Sequence, residues 1–163
     1  MTKKQLFEKF ILENIDSCYR FAFSYTHNKE DAEDIVSQSI LKALRSIDSL
    51  RDTNVIKSWF FKIIANTSLT FLRKNKNIIF MDYDSIEDTN GTTDDYSELS
   101  FNEIIEKLDI KYKEILILRF FENMTLQEIS GVLNINENTI KTRLYRALKI
   151  LKLEIEGDLI WKN

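Results

Sequence analysis

Proline is absent from this 163-residue chain, and glycine occurs only at positions 91, 131 and 157. Nothing in the covalent chain forces a helix to break, and few positions are free to turn. With apolar residues recurring at helical periods, the expectation is an all-α protein. One cysteine is present, Cys18, set among Ile15, Tyr19 and Ala22 on a helical face, where a thiol serves as a small buried apolar group rather than a redox or metal ligand. The lone histidine, His27, stands beside Asn28 and is placed in a turn between helices. No run approaches the ~20 apolar residues of a membrane span, and the opening MTKKQLFEKF lacks the apolar core of a signal peptide. A cytoplasmic protein without membrane insertion is expected.

Net charge is −3, which taken alone argues against a nucleic-acid partner, but the charges are segregated. Residues 1–81 carry 13 basic and 9 acidic side chains, 82–106 carry 9 acidic and no basic ones, and 107–163 carry 10 basic and 8 acidic ones. Two mildly basic lobes therefore flank an acidic connector. Within it, DYDSIEDTNGTTDDY at 82–96 has no apolar period and cannot bury enough surface to fold alone, so it reads as a flexible linker. The expected division is a first helical domain at 1–78, a linker at 79–96 and a second helical domain at 97–163.

In the first lobe, apolar residues from Lys4 to about Thr26 predict one long helix, or two parted near Asn14-Ile15-Asp16. A second helix follows His27-Asn28, with Glu30, Asp31, Glu33 and Asp34 in its first turns, where carboxylates complement the helix dipole. Its inward stripe is Ala32, Ile35, Val36, Ile40, Ala43 and Leu44. Opposite lie Asp34, Ser37, Gln38, Leu41 and Lys42, a polar face with an apolar residue in it, compatible with a protein partner and also with ordinary surface. A loop at Asp48 to Asn54 leads to a third helix, Val55 to Asn75, in which Trp59, Phe60, Ile63, Ile64, Phe71 and Leu72 are apolar. Lys57, Lys62, Arg73, Lys74 and Lys76 add five positive charges with no acid between them, around Asn66. Cations interleaved with aromatics suit a surface that tracks phosphates and stacks on exposed bases, although most of these rings, Trp59 above all, belong to the core.

In the second lobe, order is expected to resume near Ser97 or Ser100, the latter at capping-box distance from Glu103, with Phe101, Ile104, Ile105 and Leu108 on one short helix. A helix at Lys111 to Phe121 follows, and the two pack behind Met124 to Ala147, which reads as helix, turn and helix. There Thr125 with Glu128 is a capping box, Leu126, Ile129 and Leu133 face inward, Asn134 tolerates a left-handed turn, and Asn136 caps the second helix. Ile140, Leu144, Ala147, Leu148 and Leu151 recur at helical spacing. Asn138, Lys141, Thr142, Tyr145 and Lys149 face outward, with Arg143 and Arg146 towards the flanks. From Asn138 to Lys152 there are five basic residues and no acidic one. Such a helix offers amide, hydroxyl and cationic groups to base edges and phosphates.

Three of these stretches, in order, resemble the sigma-70 family of RNA polymerase sigma factors, in its small two-domain extracytoplasmic function (ECF) group. Asp31-Ala32-Glu33-Asp34-Ile35-Val36 resembles the region 2.2 helix that docks on the β′ clamp helices of the polymerase. Ser58-Trp59-Phe60-Phe61-Lys62-Ile63 through Asn66, with Phe71-Leu72-Arg73-Lys74, resembles regions 2.3 and 2.4, which open and read the −10 element. Leu126-Gln127-Glu128-Ile129 and Asn138-Thr139-Ile140-Lys141-Thr142-Arg143-Leu144-Tyr145-Arg146-Ala147 resemble region 4.2, which reads the −35 element. The chain departs from the usual pattern at Ser37-Gln38, where Gln-Glu is common, at Thr70 for Asp, at Ala65 for a basic residue, at Ser130 for Ala and at Asn134 for Gly.

The resemblance implies an alternative sigma factor that binds core RNA polymerase and directs promoter-specific initiation, with no covalent chemistry, cofactor or metal of its own. Asp31, Asp34, Gln38 and Leu41 would meet the polymerase β′ clamp helices, and the second lobe the β flap. Lys57, Lys62, Asn66, Arg73 and Lys74 would serve the −10 element, with Asn66 and Arg73 as readers. Asn138, Thr139, Lys141, Thr142, Arg143, Tyr145, Arg146 and Lys149 would serve the −35 element. The linker would thread the RNA-exit path, and a membrane-anchored anti-sigma factor would restrain the protein. Two rival readings are a helix-turn-helix regulator acting on a duplex operator without polymerase, which needs a dimer interface not evident here, and a magnesium nuclease built on Glu30, Asp31, Glu33 and Asp34, which lack a neighbouring general base.

Overall fold

The computed structural model describes residues 1–76 and 101–154, and all of its regular elements are helical. The linker at 79–96, the domain boundaries drawn around it, the start near Ser97 or Ser100 and the tail from 155 onward lie outside the described residues.

The first lobe is a bundle of three helices, α1 (Lys3–Thr26), α2 (Lys29–Ser46) and α3 (Ile56–Lys76). Thr2 and Gln5 form a capping box at the start of α1. At Asn14 the backbone leaves helical geometry (φ −127°, ψ 18°), and its side-chain amide donates to the Phe10 carbonyl at 2.9 Å, so α1 is one helix with a kink where the sequence placed a break. His27 ends α1 in the left-handed conformation, and Asn28 caps α2 by accepting from the Asp31 N–H at 2.8 Å. The expected loop at 48–54 contains two short 3-10 turns, Ile47–Ser49 and Thr53–Val55.

Aromatic rings from α1 and α3 fill the bundle. Phe7 meets Phe60 edge-on at 5.1 Å and Trp59 at 6.1 Å, while Phe21 packs on Phe61 at 5.3 Å. Phe60, Phe61, Ile64 and Leu72 are buried and Trp59 is half-buried, as the apolar period requires. Each such ring removed from water contributes roughly 2–3 kcal/mol.

The second lobe comprises α4 (Phe101–Glu106), α5 (Ile110–Leu116), α6 (Leu126–Leu133) and α7 (Glu137–Glu154). From Ile117 to Phe121, α5 continues as a wider π turn, closed by the Glu122 N–H to the Ile117 carbonyl at 3.0 Å. Asn123 then takes a left-handed φ of 56°, and Arg119 donates to the Met124 carbonyl at 2.9 Å, which fixes the chain reversal into α6. Both α4 and α5 pack behind α7, as the apolar faces predicted.

The lobes are packed against each other, α1 on α5 and α3 on α6. Nothing in the local periodicity signals this. One buried apolar cluster includes residues of both lobes, and its polar contacts join residues far apart in sequence: the Tyr25 hydroxyl donates to Glu114, Lys57 pairs with Glu122, Lys113 reaches His27, and the Arg20 guanidinium lies 5.0 Å from the Phe121 ring centre.

Candidate nucleic-acid interface

The helix-turn-helix is held by local hydrogen bonds that its residue types dictate. Thr125 Oγ1 accepts from the Glu128 N–H at 3.1 Å, and Glu128 Oε1 accepts from the Thr125 N–H at 2.8 Å. Asn134 adopts φ 58°, ψ 46° at the turn. Ser130 donates its hydroxyl to the Ile135 carbonyl at 2.6 Å and ties the turn to α6. Asn136 Oδ1 accepts from the Asn138 N–H at 2.7 Å and starts α7. Ile129 and Val132 of α6 are buried against it.

On α7, Ile140, Ala147 and Leu151 are buried, with Leu144 and Leu148 half-buried. Every exposed side chain from 138 to 152 is polar or cationic: Asn138, Lys141, Thr142, Tyr145, Arg146, Lys149 and Lys152. Thr139 is half-buried beside this face. Thr142 donates its hydroxyl to the Asn138 carbonyl at 3.0 Å, leaving its oxygen lone pairs outward. Tyr145 stands out with 75 % of its surface exposed, between one shallow hollow over Leu144 and Leu148 and another running to Lys149 and Lys152. An exposed phenol ring among cations is suited to apolar contact with a base while the charges engage phosphate.

One assignment is corrected. Arg143 does not lie on the flank of the exposed face but is buried at 6 % exposure, behind α7. It falls three residues after Ile140 and four before Ala147, on the apolar stripe itself. Its charge acts on Glu114 of α5, whose carboxyl burial pushes up to about 7 against the opposing effects of the Tyr25 hydrogen bond and of Arg143. Arg143 therefore lies on the buried side of α7, away from its outward polar face.

On α3, Lys62, Asn66 and Arg73 are exposed at helical spacing along one face, with Lys74 beside them. Thr70, exposed on the same face between Asn66 and Arg73, joins this row, as its place in the helical period signals. Lys57 differs from the rest. Its Nζ lies 3.1 Å from Glu122 Oε1 and donates to the Glu122 carbonyl at 3.2 Å, so it faces the second lobe.

On α2, Asp34, Gln38 and Leu41 are exposed and Asp31 is half-buried, at spacings that place them on one face opposite buried Ala32, Ile35, Val36 and Ala43. Leu41 is 54 % exposed, an apolar group in water at the centre of that face. The carboxylates of the first turns of α2 are not drawn together: among the described residues no group of three or more potential ligands is placed to hold a metal ion. No helix among them is long and apolar enough to cross a membrane.

The missed residues are those of the lobe contact. His27 is more than a turn: its Nδ1 lies 3.4 Å from Glu106 Oε1 and its Nε2 2.7 Å from Lys113 Nζ. With Lys113 donating to Nε2, the proton of a neutral ring sits on Nδ1, towards Glu106. Burial lowers the Lys113 pKa, against the raising effect of Glu106. Tyr25, Glu106, Glu114 and Glu122 carried no periodic sign of a shared surface.

Known proteins match this arrangement in both lobes. The family model for Sigma-70 region 2 matches residues 10–78, and that for Sigma-70, region 4 matches residues 98–151. RNA polymerase sigma factor SigV of Bacillus subtilis is 45 % identical over 158 residues, covering 96 % of this chain and 95 % of SigV. ECF RNA polymerase sigma factor SigW of the same organism is 26 % identical, covering 86 % and 83 %. Among solved structures, the sigma factor RpoE in complex with the anti-sigma factor NepR from Bartonella quintana superposes with a TM-score of 0.71 at 22 % identity, over 93 % of this chain and 98 % of RpoE. CnrH in complex with the cytosolic domain of CnrY gives 0.65 at 18 % identity, over 93 % and 88 %. With both lobes matched in order, and close to half its residues shared with SigV along almost the full length of the two proteins, this chain belongs to the sigma-70 family of RNA polymerase sigma factors, in its ECF group.

Proposed function

We propose that the chain is an alternative sigma factor that binds core RNA polymerase through the exposed face of α2 and reads promoters with α3 and α7. The observation that carries this reading is α7: its buried side is pinned by Ile140, Arg143, Ala147 and Leu151, and every exposed side chain from Asn138 to Lys152 is an amide, a hydroxyl, a phenol or a cation. Asn138, Lys141, Thr142, Tyr145, Arg146 and Lys149 read or hold the −35 element, with Thr139 at its edge. Lys62, Asn66, Arg73 and Lys74 serve the −10 element, Asn66 and Arg73 meeting unstacked bases and the lysines meeting phosphate. Extrusion of a base into a side-chain pocket holds the duplex open, because the base is then bound where it cannot restack.

Lys57 joins the −10 surface when the lobes part. Asp31, Asp34, Gln38 and Leu41 dock on the β′ clamp helices, and the second lobe on the β flap. Two elements bound through one tether make the second contact intramolecular, so modest affinities multiply into specificity. Covalent chemistry stays with the polymerase, and the chain acts in the cytoplasm, where an anti-sigma factor, membrane-anchored as in most of the group, restrains it.

The test is run-off transcription with purified core polymerase across promoter fragments from the source genome. Discrete transcripts that depend on this chain are expected. Binding to duplex DNA without polymerase, and no dependent transcript, would replace the sigma reading with an operator-binding regulator.

A further inference from the structure

We infer that the cleft between α1, α4 and the π turn is a binding site for a small aromatic carboxylate, with the Arg20 guanidinium as the group that holds its charge. None of the residues lining this cleft belongs to the surfaces assigned to promoter DNA or to the β′ clamp helices.

The cleft has a volume of about 420 Å³ and is lined by Arg20 of α1, Ile105 and Glu106 of α4, and Ile117 and Phe121 of the π turn. That volume lies within the range of small-molecule sites, and the lining has their character, apolar walls on which a few polar groups converge. Ile105 and Ile117 are buried, so the floor belongs to the packed core and keeps its shape. Ile117 and Phe121 are the first and last residues of the π turn, and both reach the cleft. A π turn changes the register of side chains along a helix, and such turns recur at functional sites.

Charge selects the ligand. Arg20 is half-buried, with its guanidinium 5.0 Å from the centre of the Phe121 ring. Among the described residues its side chain has no ion pair and no hydrogen bond, so its N–H groups have yet to meet an acceptor. The other charged group of the cleft is already met: Glu106 Oε1 lies 3.4 Å from Lys113 Nζ and 3.4 Å from His27 Nδ1. A planar guanidinium matches a carboxylate through two parallel hydrogen bonds, which a single-point cation cannot do. A phosphate monoester would bring a second negative charge towards Glu106, and no second cation lines the cleft to meet it. Ile105, Ile117 and Phe121 take the remainder of the ligand, a flat hydrocarbon body that packs against the Phe121 ring. A monoanionic aromatic acid satisfies the cation and the apolar walls together.

The experiment titrates the full chain by isothermal calorimetry with naphthoate and with two probes of the same ring system, the neutral naphthalenemethanol and the dianionic naphthyl phosphate. Naphthoate is expected to saturate a single site and to bind about tenfold tighter than the alcohol, the increment of one charge-assisted hydrogen-bonded pair. It is also expected to bind tighter than the phosphate, and to raise the melting temperature of the chain as the site fills. Arg20→Gln should reduce naphthoate to the affinity of the alcohol while leaving the alcohol unchanged. Arg20→Lys, which keeps the charge and loses the fork, should fall between. Comparing acid with alcohol on the unaltered chain reads the site without depending on how either variant folds. Equal affinity for acid and alcohol, binding that does not saturate, or naphthoate binding that persists in Arg20→Gln would overturn the site. Tighter binding of the phosphate would overturn the choice of a carboxylate.

Discussion

The Tyr25 hydroxyl donates a 2.5 Å hydrogen bond to Glu114 Oε1, joining the end of α1 to α5 across 89 positions of sequence. The ring itself is seated independently, edge-on to Phe21 at 5.3 Å. Tyr25→Phe therefore removes the hydroxyl and little else, leaving a buried acceptor short of its donor. The cost expected in urea unfolding is about 1–2 kcal/mol. A change below about 0.3 kcal/mol would mean that the two groups do not meet in solution.

The same carboxyl makes stability depend on pH. Burial raises Glu114 from its ordinary 4.5 to about 7 in the folded chain, so the folded state keeps a proton that the unfolded state has released. Its contribution is fully present below about 4.5 and is lost as pH rises towards 7, because the unfolded state binds fewer protons over that window. Stability measured from pH 4.5 to 7.5 is expected to fall less steeply in Glu114→Gln than in the parent chain. Every other titrating group is common to both proteins, so equal slopes would remove Glu114 as the cause.

Lys141 and Arg143 are two residues apart on α7 and are expected to fail in different ways. Lys141 is exposed, so Lys141→Ala leaves the melting temperature alone and weakens −35 binding by ~1–3 kcal/mol if the side chain reads a base. Arg143 is buried with its charge set against Glu114, so Arg143→Ala costs on the order of 3 kcal/mol of folding stability. Thermal melts alongside binding to duplex −35 fragments separate the two. An Arg143→Ala protein that melts normally yet loses −35 binding would return that residue to the DNA surface.

What was legible beforehand is what is local. The capping box of Thr125 and Glu128, the left-handed Asn134 and the cap at Asn136 each involve residues within four positions of one another, and each stands where the residue types placed it. At Arg143 charge and period point opposite ways, and the period prevails. Its spacing from Ile140 and Ala147 put it inside, but the acid that offsets its burial lies 29 positions upstream, beyond any local pattern. Lys57 with Glu122, and Tyr25 with Glu114, are invisible for the same reason. The π turn at Ile117–Phe121 interrupts an apolar run whose composition is ordinary for an α-helix, so its register shift was hidden too.

The turn between α6 and α7 offers a backbone test. Asn134 holds φ 58°, a conformation that asparagine enters at modest cost and a β-branched residue at much greater cost. Asn134→Gly is expected to leave stability unchanged or raise it slightly, while Asn134→Val lowers it by about 1–2 kcal/mol. Chemical denaturation of the full chain measures both, and equal stabilities would show that the turn relaxes to another backbone conformation.

Leu41 separates polymerase docking from promoter reading. It sits 54 % exposed on α2 between Gln38 and the C-terminal end of the helix, with the buried stripe on the opposite side, so nothing within the lobe depends on it. Leu41→Asp is expected to change folding stability by no more than about 0.5 kcal/mol. An apolar anchor at the centre of an interface typically carries 2 kcal/mol or more, so affinity for core polymerase should fall by about thirtyfold. Binding of the free chain to a duplex −35 fragment should not change, since α7 belongs to the other lobe. Fluorescence anisotropy with labelled chain and purified core enzyme measures the first quantity, and the same label with DNA measures the second. Undiminished polymerase affinity would move the docking surface off the face formed by Asp34, Gln38 and Leu41, whereas parallel loss of both affinities would trace the defect to folding.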